Sequence, residues 1–524
     1  MLNNRWVGAV ALAVAIGSAF SHGAIALATC EDLARTAVPN ATITAAESWP
    51  AGPWRSPEGN PVNVAVPFCR VALTLKPSAD SDIKTEVWLP VSGWNGKFQG
   101  IGNGGFAGAI SYGPMAAAVG AGYAAASTDT GHKTGPGIDA AWALNHSEKI
   151  TDFGYRAIHE TAVSGKALTA AFYNASPKRS YFNSCSNGGR QALMEAQRFP
   201  DDYDGIIAGA PANYWTRLMS MAMVNVQATH ADPASFFPAS KLRAVSAAAL
   251  ATCDANDGVA DGVIENPGAC GFDPAVLLCR GEDSDACLTA PQVTALKTIY
   301  AAKRTSAGDA IMPGYSPGGE AETGGWAGWI TGPAPRQSAM YGFGTQFFSH
   351  MVFNDPAWDV RTFNLDRDWK TAAAKVGRDL DADSADLRAF QARGGKLILY
   401  HGWSDAAIPA QHAIDYYNAV AAAMGRDAAA SFVRLYMVPG MQHCGGGSGA
   451  STFGQAGVAT GDPDHNVSAA LERWVEQGVA PQQLIASKMN GTTVVRTRPL
   501  CAYPQTAHYQ GTGSTDAAAN FVCR

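Results

Sequence analysis

Short apolar runs alternate with longer helix-forming stretches at both ends of this chain, and the alternation lapses in the middle. Thr85–Leu89, Phe98–Ile101 and Ala124–Thr128 are brief apolar segments bounded by polar or glycine-rich turns, the pattern of strands. Arg156–Tyr173 has helix-forming composition and leads into the apolar run Ser180–Asn183, after which Arg190–Ala196 is again composed of helix formers. The rhythm resumes near residue 390, with strands at Leu397–Tyr400 and Phe432–Val438 and helices at Ile414–Met424 and Asn466–Glu476. Strand–helix–strand repetition predicts an α/β class with a mostly parallel sheet. Residues 213–389 show no such rhythm and hold two close cysteine pairs, so they are expected to form a loop-rich lid inserted between 29–212 and 390–524. A chain of 524 residues is long for one core, and two domains follow from that.

The first 28 residues have a different texture. Arg5 precedes the apolar run Val7–Ile16, and Ala26-Leu27-Ala28 offers a small-residue cleavage site, so 1–28 reads as a signal peptide. The run is too short to span a bilayer, and no later segment is long enough. All ten cysteines lie beyond the cleavage site, which points to disulfides in a secreted or periplasmic protein. Spacing alone leaves about 945 pairings, nine times those of eight cysteines. No pair has Cys-x-x-Cys spacing, which disfavours a cysteine metal site. A net charge of −6, with 16% charged residues and no basic stripe, speaks against nucleic-acid and membrane partners.

Chemistry concentrates at three strand ends. Ser186 follows the run ending in Asn183, Asp405 follows Lys396–Gly402, and His443 follows Val433–Val438. The order serine, aspartate, histidine is that of an α/β-hydrolase triad. A hydroxyl needs an imidazole to take its proton, and the imidazole needs a carboxylate to fix its tautomer. Ser186 and His443 are each fused to a cysteine, Cys185 and Cys444. A serine–histidine hydrogen bond would bring those neighbours near disulfide separation. Such a bridge closes a loop long enough for about 5 kcal/mol of stabilisation on the chain-entropy view. The elbow departs from Gly-x-Ser-x-Gly, because Ser184 holds the first glycine position while Gly188 keeps the second.

Gly102-Asn103-Gly104-Gly105 lacks dinucleotide-loop spacing and suits an oxyanion loop after an early strand. The span Asp254–Glu265 crowds carboxylates like a calcium loop, but Gly258 sits one place early for an EF-hand. Asp129 and His132 stand upstream of the serine and read as structural, and His159, His350 and His412 have no partner pattern. Trp326, Trp329, Phe343, Phe347 and Phe348 read mainly as lid core, with one or two free to stack on an aromatic acyl group.

Cys185–Gln191, Gln197–Pro200 and Tyr203–Pro211 resemble the tannase and feruloyl esterase family, including its terephthalate half-ester hydrolases. Trp94–Phe98, Thr128–His132, His401–Asp405 and Arg496–Cys501 support the likeness across nearly the whole mature chain. The resemblance implies an α/β-hydrolase fold with a large inserted lid, and a secreted serine carboxylesterase in which Ser186, Asp405 and His443 are catalytic. It implies oxyanion donors at the N–H groups of Gly105 and Asn187. It implies structural Ca2+ on the side chains of Asp254, Asp257 and Asp261 and the carbonyls of Val259 and Val263. It also implies the pairs Cys30–Cys69, Cys185–Cys444, Cys253–Cys270, Cys279–Cys287 and Cys501–Cys523. The expected partner is a small aromatic ester, hydroxycinnamic or gallic. A terephthalate half-ester is the alternative, and its carboxylate would want an arginine. Arg336 is the only arginine between Arg304 and Arg361, with Gln346 and Phe347 where polar contacts would otherwise sit, so half-ester activity is expected to be weak. The reading from another class is a non-catalytic, calcium-stabilised secreted binding protein.

Overall fold

The computed structural model describes Met1, Asn3, residues 29–133 and residues 137–524. The expected signal peptide lies outside the described residues, Met1 and Asn3 apart. At the centre is a nine-stranded sheet. Its strands are β1 (Ala41–Trp49), β2 (Phe68–Leu75), β3 (Ile83–Pro90), β4 (Lys97–Ile101), β5 (Ala124–Thr128), β6 (Arg179–Cys185), β7 (Gly205–Gly209), β8 (Lys396–Gly402) and β9 (Val433–Val438). They lie in the order β1-β2-β3-β5-β4-β6-β7-β8-β9. The pairs β1–β2, β2–β3 and β3–β5 are antiparallel, and every pair from β5–β4 onward is parallel.

The parallel strands are covered on both faces, which is why they read as unbroken apolar runs. In β8, Leu397 and Leu399 pack toward the helices Ala157–Tyr173, Asn187–Arg198 and Gln411–Met424. Ile398 and Tyr400 face the helices Tyr112–Gly120 and Val467–Gln477 on the other side. This is the α/β-hydrolase architecture that the chain order predicts. β1 and β2 extend its antiparallel edge, where Cys30–Cys69 ties the start of the described chain to β2.

The expected lid region joins long loops to helices at Trp215–His230, Leu242–Cys253, Ala290–Tyr300, Ala339–Gln346 and Leu365–Ala372. Trp215–His230 buries residues on most of its circumference, so no amphipathic stripe marks it in the sequence. The lid core also merges with Phe106, Phe153, Ala406 and Ile408 of the α/β part, and the two share one apolar cluster. All five expected disulfides are present, and no cysteine is free.

Candidate active site

Three strand ends meet above the sheet. Ser186 caps the helix Asn187–Arg198 directly after β6, with φ 68° and ψ −127°, backbone that a side chain rarely adopts. Such a residue costs about 1–3 kcal/mol and persists only where its surroundings hold it. The Ser186 N–H donates to Gly209 O at 2.9 Å, and Ser186 O accepts from Arg190 N and Ala212 N, each at 3.1 Å. The unusual Ser184 is accommodated by its neighbours. A Cβ on Gly188 would fall 1.9 Å from Ser184 Oγ, and one on Gly189 would fall 2.3 Å from Gly209 O.

His443 Nε2 lies 2.8 Å from Ser186 Oγ, and its Nδ1 lies 2.8 Å from Asp405 Oδ2. Asp405 Oδ1 accepts the N–H groups of Ala407 at 2.8 Å and Ile408 at 2.9 Å. Burial pushes the Asp405 carboxyl up, but the His443 charge and hydrogen bonds from His401 and His443 outweigh it. The carboxyl is held well below its ordinary range. The bridge Cys185–Cys444, with Cα atoms 6.0 Å apart, joins the elbow to the histidine loop as expected.

The N–H groups of Asn187 and Gly105 donate to no acceptor among the described residues. Both residues line an apolar cleft that also reaches Ser186. Its wall is apolar: Trp215, Leu218, Met219 and Met221 come from the first lid helix, Met340 and Phe343 from a later one, and Ile408 from the loop after Asp405. Trp329 stands edge-on to His443 at 5.2 Å and stacks on Phe343. Of the five lid aromatics, Trp329 and Phe343 therefore reach the cavity, while Trp326, Phe347 and Phe348 are lid core. Arg336 is exposed and lines no part of this cavity, and Gln346 accepts from Ala140 N instead.

Asp129 and His132 do not pair with each other. Asp129 accepts the N–H groups of Lys84 and Gly131, and burial raises its carboxyl to about 7. His132 Nε2 lies 2.7 Å from Phe106 O, its ring stacks on Trp142, and burial lowers it to about 4. Both are structural, with His132 propping the loop of Gly105. His159, away from the triad, pairs with Asp202 at 2.6 Å. His412 is buried between Pro409 O and Pro211 O.

Sequence reasoning missed three contributors. His401 Nε2 lies 3.1 Å from Asp405 Oδ2, so two histidines share one carboxylate oxygen. Its position four residues before Asp405, at the end of the same strand, was the available signal. Arg190, read only as a helix former, is completely buried. Trp215–Ala222 supplies most of one cavity wall although its sequence carries no motif.

The acidic loop lies in the lid. Asp254 accepts the N–H groups of Asp261, Gly262 and Val263, and Asp257 accepts that of Val259. Asp261 meets Arg496 at 3.1 Å and also Arg498. Burial, with the nearby charges of Asp261 and Asp254, raises the Asp257 carboxyl. The carbonyls of Val259 and Val263, in buried residues, accept no hydrogen bond among the described residues. These carboxylates and two unsatisfied carbonyls are hard oxygen donors of the kind a calcium ion takes, but the oxygens of Asp254, Asp257 and Asp261 do not all close to within 4.8 Å of one another. The two arginines already offset part of the carboxylate charge.

The sequence model described as tannase and feruloyl esterase matches residues 69–524. The chain belongs to the tannase and feruloyl esterase family. It is 44% identical to an uncharacterized esterase of Xanthomonas campestris, covering 95% of this chain and 92% of that one. It is 35% identical to a probable feruloyl esterase B-1 of Aspergillus oryzae, covering 94% and 92%. The crystal structure of feruloyl esterase B from Aspergillus oryzae superposes with a TM-score of 0.88 at 34% identity, covering 94% of this chain and 99% of that one. As a member of this family the protein is an esterase, a carboxylic ester hydrolase, and the binding-module reading is set aside.

Proposed function

We propose that this esterase is a secreted serine enzyme that releases hydroxycinnamic acids from their esters through an acyl-enzyme. The observation that carries the reading is the line Asp405–His443–Ser186 opening into an apolar cavity. Ser186 Oγ attacks the ester carbonyl carbon as His443 Nε2 takes its proton. Asp405 keeps the other proton on Nδ1 and supports the imidazolium that forms. The carbonyl oxygen becomes an oxyanion and is met by the N–H groups of Asn187 and Gly105. Collapse expels the alcohol, which leaves with the proton from His443. Water then gives its proton to His443, attacks the acyl carbonyl, and frees the acid and Ser186.

The cavity argues for the acyl group. Its wall is apolar with few polar groups, and no charged side chain lines it among the described residues. A terephthalate half-ester would bury its free carboxylate there without a partner, which is costly. A galloyl group would bring three hydroxyls to a wall whose Tyr315 hydroxyl already donates to Ala407 O. A hydroxycinnamoyl group brings one flat ring, a vinyl spacer and few polar atoms. Comparing kcat/KM for methyl ferulate, methyl gallate and the terephthalate half-ester tests this ranking. A preference of more than about tenfold for the half-ester, about 1.4 kcal/mol, would overturn it. Ser186→Ala should abolish turnover of methyl ferulate, and retained activity would remove the nucleophile assignment.

Five disulfides support maturation in an oxidising compartment. Among the described residues no helix is long and apolar enough to cross a membrane. N-terminal sequencing of the mature protein should begin after Ala28. A structural Ca2+ belongs to the same reading, held by Asp254, Asp257, Asp261 and the carbonyls of Val259 and Val263. Bound there, it would neutralise the loop closed by Cys253–Cys270 and take no part in the chemistry at Ser186.

A further inference from the structure

Arg190 lies in the first turn of the elbow helix with its side chain completely buried. Its hydrogen bonds go to no carboxylate. Nε donates to Asn187 Oδ1 at 2.8 Å, and the two terminal nitrogens donate to Gly154 O at 2.7 Å, Phe153 O at 3.0 Å and Leu380 O at 3.4 Å. The guanidinium is flanked by the rings of Phe153 and Trp215, at 4.7 and 5.1 Å. The charge of Asp381 nearby offsets part of the burial, but a buried cation with no carboxylate hydrogen-bonded to it is expensive, and an apolar side chain would fill the same space more cheaply. Burial lowers Arg190 only to about 9, so it stays charged at neutral pH.

The arginine fork has one side-chain target, the carboxamide of Asn187. The other end of that carboxamide, Nδ2, donates to Asn103 O at 3.2 Å. Asn103 is held again from the same helix: its N–H donates to Gln191 Oε1 at 3.1 Å, and Gln191 Nε2 donates to Asn103 Oδ1 at 2.8 Å. Asn103 Nδ2 also donates to Thr128 O at the end of β5. Gly105 follows two residues later. The two candidate oxyanion donors sit on different elements, one on the helix start and one on the loop after β4, and the Asn187 carboxamide spans the gap.

We propose that Arg190 is a positioning residue of the oxyanion hole. Its fork fixes Asn187, and through Asn187 it fixes the Asn103–Gly105 loop at the spacing that two converging donors require. The inference rests on the serine-esterase reading above. It explains why a full charge is kept in the core beside the nucleophile helix, where its four contacts reach three separate segments.

Two variants of the full chain test it. Arg190→Lys keeps the charge and loses the planar fork. Asn187→Ala keeps both backbone donors and cuts the link to the loop. Each is expected to lower kcat on methyl ferulate about tenfold or more, since small misplacements of catalytic groups are costly. KM should move less than about threefold, the pattern of an interaction made in the transition state alone. An arylboronic acid, whose tetrahedral adduct on Ser186 places an anionic oxygen in the hole, should lose affinity in parallel with kcat. Rates are taken per active site titrated with a fluorophosphonate, so partial misfolding does not imitate the effect. A merely structural arginine would lower the melting temperature and leave kcat per site unchanged. If Arg190→Lys does not fold, Asn187→Ala decides alone. A kcat per site within about twofold of wild type in every variant that folds would overturn the proposal. Activity surviving in Ser186→Ala would instead remove the serine reading on which it stands.

Discussion

Replacing Asp405 with asparagine should do more damage than its small change in shape suggests, and the structure says why. Asp405 Oδ1 accepts two backbone N–H groups, from Ala407 at 2.8 Å and Ile408 at 2.9 Å. In Asp405→Asn the amide oxygen must take that position, because an NH2 there would face two donors. The NH2 then occupies the place of Oδ2, facing His443 Nδ1 at 2.8 Å and His401 Nε2 at 3.1 Å. His401 can turn its proton to Ile408 O, which also lies 3.1 Å away. His443 has no such escape. Its Nδ1 must become an acceptor, so the ring proton moves to Nε2, the nitrogen that faces Ser186 Oγ. A protonated Nε2 cannot take the serine proton. Loss of the correct tautomer costs about 10⁴ in kcat, or roughly 5 kcal/mol in the barrier, while KM should change little. The measurement is kcat and KM on methyl ferulate for folded variant and wild type, with the rate of fluorophosphonate labelling as a second readout. Retention of more than about a tenth of kcat, or a loss confined to KM, would refute the tautomer argument.

Three further outcomes follow from the same geometry. Cys185→Ser combined with Cys444→Ser should lower kcat about tenfold or more, because the elbow and the histidine loop lose their tether; peptide mapping should find the other four bridges intact, and an unchanged kcat would deny the tether a catalytic role. Excess chelator should lower the melting temperature by about 3 °C or more, since a cation bound only to the folded state stabilises it; an unchanged transition with no metal by elemental analysis would reject the site. His132 is lowered to about 4 in the folded protein against an ordinary 6.5, so the folded state binds fewer protons between those values and stability falls as pH drops through that window. His132→Gln keeps a donor for Phe106 O and should remove about 3 kcal/mol of that pH dependence. The raised carboxyl of Asp129 gives the opposite slope over about pH 4–7 and remains in both proteins, so the difference between their two stability curves isolates the histidine. Parallel curves would refute this assignment.

The parallel strands were largely legible because burial on both faces leaves short, unbroken apolar runs between turn residues; β4, β5, β6, β8 and β9 stand close to where those runs predict them, while β7 was not read as a strand. The antiparallel edge was not, because β1 mixes polar and apolar residues and only part of it is covered. The lid helices escaped for the opposite reason. Trp215–His230 buries residues as different as Trp215, Thr216, Ser220 and Asn225 around its circumference, and a helix enclosed on most sides presents no 3.6-residue stripe.

The candidate site divides along a similar line. A nucleophile, base and acid must be particular residue types at particular strand ends, so the roles proposed for Ser186, Asp405 and His443 could be picked from a string of letters, and the cysteines beside two of them strengthened the choice. The proposed acyl site needs only volume and apolarity, which many residues supply, so Met219 or Ile408 carries no mark of its place. Arg190 and His401 are harder still. Each is a polar residue whose job is to hold another residue still, and nothing but burial distinguishes it from a surface arginine or a core histidine. His401 shows what that burial does. It stands at the end of the strand that leads into the acid and gives Asp405 Oδ2 a second hydrogen bond, which together with the charge and hydrogen bond of His443 keeps the carboxylate ionised in a site that burial alone would neutralise. The acid can then keep its one essential proton on His443 Nδ1, and it is this arrangement that an amide in place of the carboxylate would reverse.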